Sequence, residues 1–231
     1  MTKALQPLVV FDLDGTLVDS APDLVDSLNV ILAREGHAPL PLEEGRKMVG
    51  AGGRALIRRG IEASGARVPD ARLEELFAAY LSAYEQHITD KTLFYQGAEA
   101  ALDRLATAGW SFAILTNKYE SPAIKLVKAL GAFPRFKTIC GQDTFPVSKP
   151  NAAALHLTIE KAGGDPTRSI MVGDTITDVT TAKNAGRPVI AVDFGYADRP
   201  VADMAPDKII SHFDELFDAV ASLKNRFFAP V

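Results

Sequence analysis

A single cysteine, Cys140, stands among 231 residues. No intrachain disulfide can therefore staple this fold, and a lone thiol fits a reducing compartment, where it packs as a small apolar side chain. No apolar run approaches the roughly 18–20 residues that cross a bilayer, and Met1-Thr-Lys-Ala leads into the chain without a cleavable signal pattern. Charge of one sign is scarce too: 25 basic against 29 acidic residues leave a net charge of −4. There is no run of five like charges, which argues against an electrostatic footprint for nucleic acid or anionic lipid. The histidines, His37, His87, His156 and His212, are scattered without metal-ligand spacing, so no zinc centre is expected. Walker loops, dinucleotide fingerprints, Gly-x-Ser-x-Gly elbows, internal repeats and low-complexity tracts are also missing. The expectation is a soluble, cytoplasmic protein with no nucleic-acid or membrane partner, monomeric or homodimeric.

What is present is an alternation. Short apolar runs at 8–11, 112–115, 138–140, 170–172, 189–192 and 208–210 are separated by helical stretches. Unalternating apolar strands between helices imply a parallel sheet covered on both faces. The alternation lapses between residue 18 and about residue 94, where only helical periodicity is found, so this stretch reads as an inserted helical cap. The expected division is a core of 1–18 and 93–231 and a cap of 19–92, with hinges at 17–21 and 90–97. The first cap helix should begin after Ser20, with Asp23 as its capping-box partner, bury Leu24, Leu28, Ile31 and Leu32, and stop at Gly36. The last carries Leu73, Leu76, Phe77, Tyr80, Leu81, Tyr84 and Ile88, a stripe read as core packing.

Ligands of an open parallel sheet sit outside the carboxyl ends of its strands, and four polar clusters fall at such places. The first is Asp12-Leu13-Asp14-Gly15-Thr16, two carboxylates beside a tight turn. The second is Thr116-Asn117, a hydroxyl and an amide able to bind phosphate oxygens. The third is Ser148-Lys149-Pro150, in which Pro150 is expected to start the next helix and Lys149 to project an ammonium from its entrance. The fourth is Gly173-Asp174 with Asp178 four residues later, a spacing that sets both carboxylates on one face of an opening helix, to share a metal or hold a lysine.

In this order the clusters resemble the four signatures of the haloacid dehalogenase-like hydrolases. The flank from Phe11 to Leu24, together with Val49-Gly50-Ala51-Gly52-Gly53, Leu115-Thr116-Asn117-Lys118 and Gly195-Tyr196, is similar to phosphoglycolate phosphatases. The resemblance implies an α/β fold: a Rossmann-like parallel-sheet core with an inserted α-helical cap. It also implies a Mg²⁺-dependent phosphatase that hydrolyses a small phosphorylated metabolite, 2-phosphoglycolate first, through an aspartyl-phosphate. Asp12 would be the nucleophile and Asp14 the acid and base. Gly15, Thr116, Asn117 and Lys149 would bind phosphate, while Asp12, the backbone carbonyl of Asp14, and Asp174 would hold Mg²⁺. Thr16 and Asp178 would support these groups from behind, Asp178 by orienting Lys149 or a metal-bound water.

Two residues narrow the reaction. A halide leaving group needs no proton, so Asp14 argues against dehalogenation, and Thr16 tilts away from the sugar phosphomutases, which usually carry valine there. Substrate choice is expected in the cap, where Gly50, Gly52 and Gly53 permit close backbone approach and Arg54 could fork onto a carboxylate; Lys118 is the other candidate. Ser148-Lys149-Pro150-Asn151 and Phe94-Tyr95-Gln96-Gly97 depart from the usual contexts of the family and leave the substrate open. The alternatives are a pyrophosphatase, nucleotidase or sugar-phosphate phosphatase of the same superfamily, or a phosphate-responsive binding protein without turnover.

Overall fold

The computed structural model describes residues 5–228. The chain opens with β1 (Gln6–Phe11) and a short β2 (Val18–Asp19), then turns helical through α1 (Ala21–Arg34), α2 (Leu42–Arg46), α3 (Gly53–Ala63) and α4 (Asp70–Gln86). It returns through β3 (Leu93–Phe94), α5 (Ala98–Thr107), β4 (Ser111–Leu115), α6 (Glu120–Ala129) and β5 (Phe136–Cys140). The remainder is α7 (Ala152–Lys161), β6 (Gly164–Gly173), α8 (Ile176–Asn184), β7 (Val189–Val192), β8 (Lys208–Ile210) and α9 (Leu216–Phe227).

All six apolar runs are strands of one sheet in the order β5-β4-β1-β6-β7-β8, every neighbouring pair parallel. The expected α/β parallel-sheet architecture is thus borne out. Leu8, Val9, Val10 and Phe11 are completely buried. Val9 and Phe11 pack on one face of the sheet and Leu8 and Val10 on the other, which is why the run does not alternate. Each such side chain contributes about 1.5–3 kcal/mol relative to exposure. β1 lies centrally because the chain first builds outward through β4 and β5, then returns to add β6, β7 and β8 on its other side. That reversal brings the carboxyl ends of β1, β4 and β6 together, the place where such sheets bind ligands.

The stretch between β2 and β3 holds only helices among its regular elements, and β2 and β3 pair antiparallel as a two-stranded ribbon. Leu28, Ile31 and Leu32 of α1 are fully buried as their spacing requires, and α1 packs on α2, α3 and α4. The helix ends at Arg34, followed by Gly36 with φ of 76°.

Two expectations about helix starts need correction. Ser20 and Asp23 form no capping box: the Ser20 hydroxyl donates instead to Asp14 Oδ1 (2.5 Å). Asp23 accepts from the Lys91 amide and from the amide and hydroxyl of Thr92, tying α1 to the segment that re-enters the sheet. The charged carboxylate is a strong acceptor for the serine proton and turns the hydroxyl toward Asp14, away from the helix amides it would otherwise accept from. Pro150 likewise does not begin α7. Asn151 is the N-cap, its side chain accepting from Ala153 N (2.9 Å), so the helix starts at Ala152.

Candidate active site

β1 ends at Phe11, and the next residue still holds the sheet, since Asp12 N donates to Val172 O (2.9 Å). The chain then folds tightly on itself, with the amides of Thr16, Leu17 and Val18 converging on the Leu13 carbonyl and Gly15 N donating to Val18 O. Gly15 has φ of 81°, and a β-carbon there would lie 2.4 Å from Asp174 Oδ2. Only glycine permits both the turn and the contact. Gly195 has the same role opposite, since its β-carbon would lie 2.4 Å from both Asp174 Cβ and Gly15 O.

Four buried ionic groups meet at the strand ends. Asp12 Oδ1 accepts from Leu13 N (2.7 Å) and lies 2.9 Å from Lys149 Nζ; its other oxygen has no hydrogen-bond donor among the described residues. Lys149 Nζ donates to Asp178 Oδ1 at 2.6 Å. Asp178 Oδ2 accepts from Thr175 N and Oγ1, so Asp178 caps α8 and holds the lysine with its two oxygens. Asp174 is fully buried and accepts from Thr16 Oγ1 (2.9 Å) and Tyr196 N (2.7 Å), both neutral donors.

Three carboxylates thus face one ammonium. Burial pushes the Asp12 carboxyl up to about 6, with Lys149 opposing the rise. Burial, reinforced by Asp178 and Asp12, pushes Asp174 well above the carboxylate range. Burial alone would lower Lys149, but Asp12 and Asp178 hold it above its ordinary value. Carboxylate oxygens of Asp12, Asp174 and Asp178 lie within 4.8 Å of one another. Because the one Lys149 ammonium is shared between Asp12 and Asp178, it offsets only one of the three carboxylate charges. A buried excess of negative oxygen ligands is a fit for a hard divalent cation.

Asp14 points the other way. Besides Ser20, both of its oxygens meet Lys118 Nζ, at 2.9 and 2.8 Å. Lys118 also sits 4.7 Å from the centre of the Tyr84 ring. Thr116, at the end of β4, is buried and accepts from Lys118 N through its hydroxyl (3.2 Å), leaving its own proton for a ligand. Asn117 follows, its amide oxygen buried without a hydrogen-bond partner among the described residues.

These groups floor a cavity of about 50 Å³, room for roughly four waters. Asp12, Asp14, Thr116, Asn117 and Lys118 line it from the sheet side. From the helical side come Gly50, Gly52 and Gly53, then Phe77, Tyr80 and Tyr84 of α4. The stripe read as core packing is therefore buried apart from a half-buried Leu81, yet four of its residues, Phe77, Tyr80, Leu81 and Tyr84, are also cavity wall. Hydrophobic periodicity alone cannot separate the two. Gly53 is where α3 meets α4, since a β-carbon there would lie 2.8 Å from the Phe77 ring.

Arg54 is placed outside this cavity. Its guanidinium forks onto Glu74 (2.6 and 2.5 Å), stacks 3.9 Å from the Phe77 ring centre and donates to the Tyr119 hydroxyl. It lines a separate surface groove with Arg58 and Arg59. Its neighbours Arg58 and Arg59 are engaged as well, by Asp70 and the Met48 carbonyl. The sequence reading missed two residues that brace the site. Ser20 holds Asp14. Tyr196 joins Asp174 to the start of α1, its hydroxyl accepting from the amides of Ser20 and Ala21 and donating to Asp19. The pair Gly195-Tyr196 was visible as a motif, but its contacts span some 180 residues of chain.

Comparison with known proteins agrees with this geometry. Residues 9–192 match the family model described as haloacid dehalogenase-like hydrolase. The chain is 46% identical over 211 residues to a phosphoglycolate phosphatase of Mesorhizobium japonicum, covering 91% of this chain and 93% of that one. It is 42% identical over 219 residues to a phosphoglycolate phosphatase of Agrobacterium fabrum, covering 95% and 94%. Among solved structures, a predicted phosphoglycolate phosphatase from Haemophilus somnus superposes with a TM-score of 0.86 at 25% identity, covering 95% of this chain and 99% of the other. The chain thus belongs to the haloacid dehalogenase-like hydrolases, within them to the phosphatases similar to phosphoglycolate phosphatase.

Proposed function

We propose that this enzyme hydrolyses 2-phosphoglycolate to glycolate and phosphate, with Mg²⁺ and through an aspartyl-phosphate on Asp12. The observation that carries the reading is the state of Asp12: buried at the cavity floor, anchored through one oxygen by Leu13 N and Lys149, with no protein donor on the other.

The free oxygen of Asp12 attacks phosphorus in line, forming the acyl-phosphate bond as the ester P–O bond breaks. Lys149, the Thr116 hydroxyl and backbone N–H groups near Gly15 and Asn117 balance the nonbridging oxygens. Asp14 delivers a proton to the departing alkoxide, then takes one from the water that attacks the same phosphorus, which returns Asp12 as a carboxylate and releases phosphate. Asp178 fixes the Lys149 ammonium, and Thr16 and Tyr196 fix Asp174. Mg²⁺ would be held by Asp12, Asp174 and the Asp14 carbonyl and would supply charge neutralisation for the phosphoryl group.

Lys118 gives the reading its preference for an acid. Its ammonium now occupies both oxygens of Asp14. A substrate carboxylate that draws Lys118 away releases Asp14 for proton transfer, whereas a neutral ester offers no such exchange. A single buried free cysteine accords with the reducing cytoplasm, and no helix among the described residues is long and apolar enough to cross a membrane.

The test is phosphate release with Mg²⁺ on 2-phosphoglycolate against sugar phosphates, nucleotides and pyrophosphate. The expected result is a preference of tenfold or more in kcat/KM, about 1.4 kcal/mol of discrimination. Comparable rates across the panel reject 2-phosphoglycolate as the substrate.

A further inference from the structure

Two buried hydroxyls on α4 have no hydrogen-bond partner among the described residues: Tyr80 Oη and Tyr84 Oη. Their side chains are 2% and 1% exposed, and both line the cavity that holds Asp14 and Lys118. Buried phenols nearly always find a partner, so two unpartnered ones on the wall of one small cavity point to a ligand. Spaced four residues apart, they share a helix face, their rings stacked 6.2 Å apart and 6° from parallel.

The chemistry of the ligand follows from what surrounds these hydroxyls. Burial holds both phenols above their ordinary range, so they stay protonated and can donate. What they meet must therefore accept. Lys118 lies against the Tyr84 ring and within electrostatic reach of the Tyr80 hydroxyl. Asp14 faces both phenols as well but is held by Lys118 and Ser20, so the match is an anionic acceptor that takes the Lys118 ammonium from it. The cavity is small and walled by Phe77, Tyr80 and Tyr84, which favours a short chain beyond the phosphoryl group.

We infer that Tyr80 and Tyr84, together with Lys118, form the seat for the carboxylate of a two- or three-carbon phospho-acid, and so determine the enzyme's substrate specificity. The inference rests on the phosphatase reading above and assigns the recognition of its acid end to α4. Arg54, bound to Glu74 outside the cavity, takes no part in it.

The experiment compares 2-phosphoglycolate with ethyl phosphate, which lacks the carboxylate, using the full chain with Mg²⁺ in wild type, Tyr80→Phe and Tyr84→Phe. In each variant the ratio of kcat/KM for the two esters should fall about tenfold or more, the value of one hydrogen bond to a charged group, with the loss carried by KM for phosphoglycolate. The unfolding midpoint should not fall, because neither hydroxyl has a protein partner to lose. A role in packing alone would move the midpoint and leave the ratio unchanged. A wild-type preference for phosphoglycolate that persists in both variants overturns the tyrosine seat and leaves the phosphatase reading standing. A wild type without preference overturns both the seat and the choice of substrate. A readout independent of the variants is inhibition of ethyl phosphate turnover by glycolate, expected to be competitive and about tenfold tighter than by ethylene glycol. Equal inhibition by the two overturns the seat.

Discussion

At the carboxyl ends of β1, β4 and β6 the cavity is floored by charged and polar side chains that hold one another, whereas α3 and α4 roof it with apolar groups and two phenols that have no hydrogen-bond partner among the described residues. Every carboxylate of the floor and of the layer beneath it has a fixed donor: Leu13 N and Lys149 for Asp12, Ser20 and Lys118 for Asp14, Thr16 and Tyr196 for Asp174, Lys149 and Thr175 for Asp178. Such a floor is preorganised for charge that develops in a reaction, and each member fails if its neighbour is removed. The roof carries no such interdependence. The contrast teaches that the chemistry rests on a rigid, electrostatic part and the choice of substrate on shape and two donors, with Lys118 the group that the two parts share.

The comparison can be broken most forcefully at Asp12. Asp12→Asn should lower kcat by at least about a thousandfold for every ester and abolish trapping of radiolabelled phosphoryl-enzyme. A smaller loss would mean that the floor works without a covalent step. Asp14→Asn should be next, costing about a hundredfold with alkyl phosphates and much less with p-nitrophenyl phosphate, whose leaving group needs no proton. Equal losses on the two would remove Asp14 from the acid role.

Behind these groups, Thr16→Val should weaken divalent-metal affinity by about 10- to 100-fold, as loss of a supporting donor to a ligand does, measurable by calorimetric titration. The floor also sharpens the comparison through pH. Asp12 and Asp174 bind protons more readily folded than unfolded, so without metal their contribution is fully present below the ordinary carboxylate pKa near 3.8 and is lost as pH rises through about 6 for Asp12. In chelator, the unfolding midpoint should therefore carry a component that falls between about pH 4 and 6, and saturating Mg²⁺ should remove it. The smallest effect belongs to the outer surface of the helical region. Arg54→Ala should cost at most about 1 kcal/mol by chemical denaturation and leave the preference for phosphoglycolate over ethyl phosphate as it was.

The sheet and its polar strand ends could be read directly because burial on both faces writes itself as uninterrupted apolar runs, and because the runs that build the site stop at or just before a polar group. Asp12, Thr116 and Asp174 fall at such stops, whereas Lys149 lies nine residues beyond the end of β5 and was marked only by its place before Pro150. What escaped the sequence is tertiary. Ser20 abandons its helix cap for Asp14, Asp23 serves Thr92 across the ribbon, and Arg54 is claimed by Glu74 on the next helix. No local pattern distinguishes these choices from the ordinary ones. Tyr80 and Tyr84 were hidden for a different reason, since a stripe of apolar and aromatic residues at helical spacing looks the same whether it faces core or cavity.

Tyr196 acts as a spacer. Its backbone N–H ends on Asp174 and its hydroxyl on the amides of Ser20 and Ala21, so a single covalent unit with two torsions measures the distance from a core carboxylate to the first turn of the helical region. Contacts assembled from many soft side chains would add their tolerances; an aromatic ring adds almost none. The placement of α1, and with it the serine that steadies Asp14, is thereby gauged by the length of one side chain.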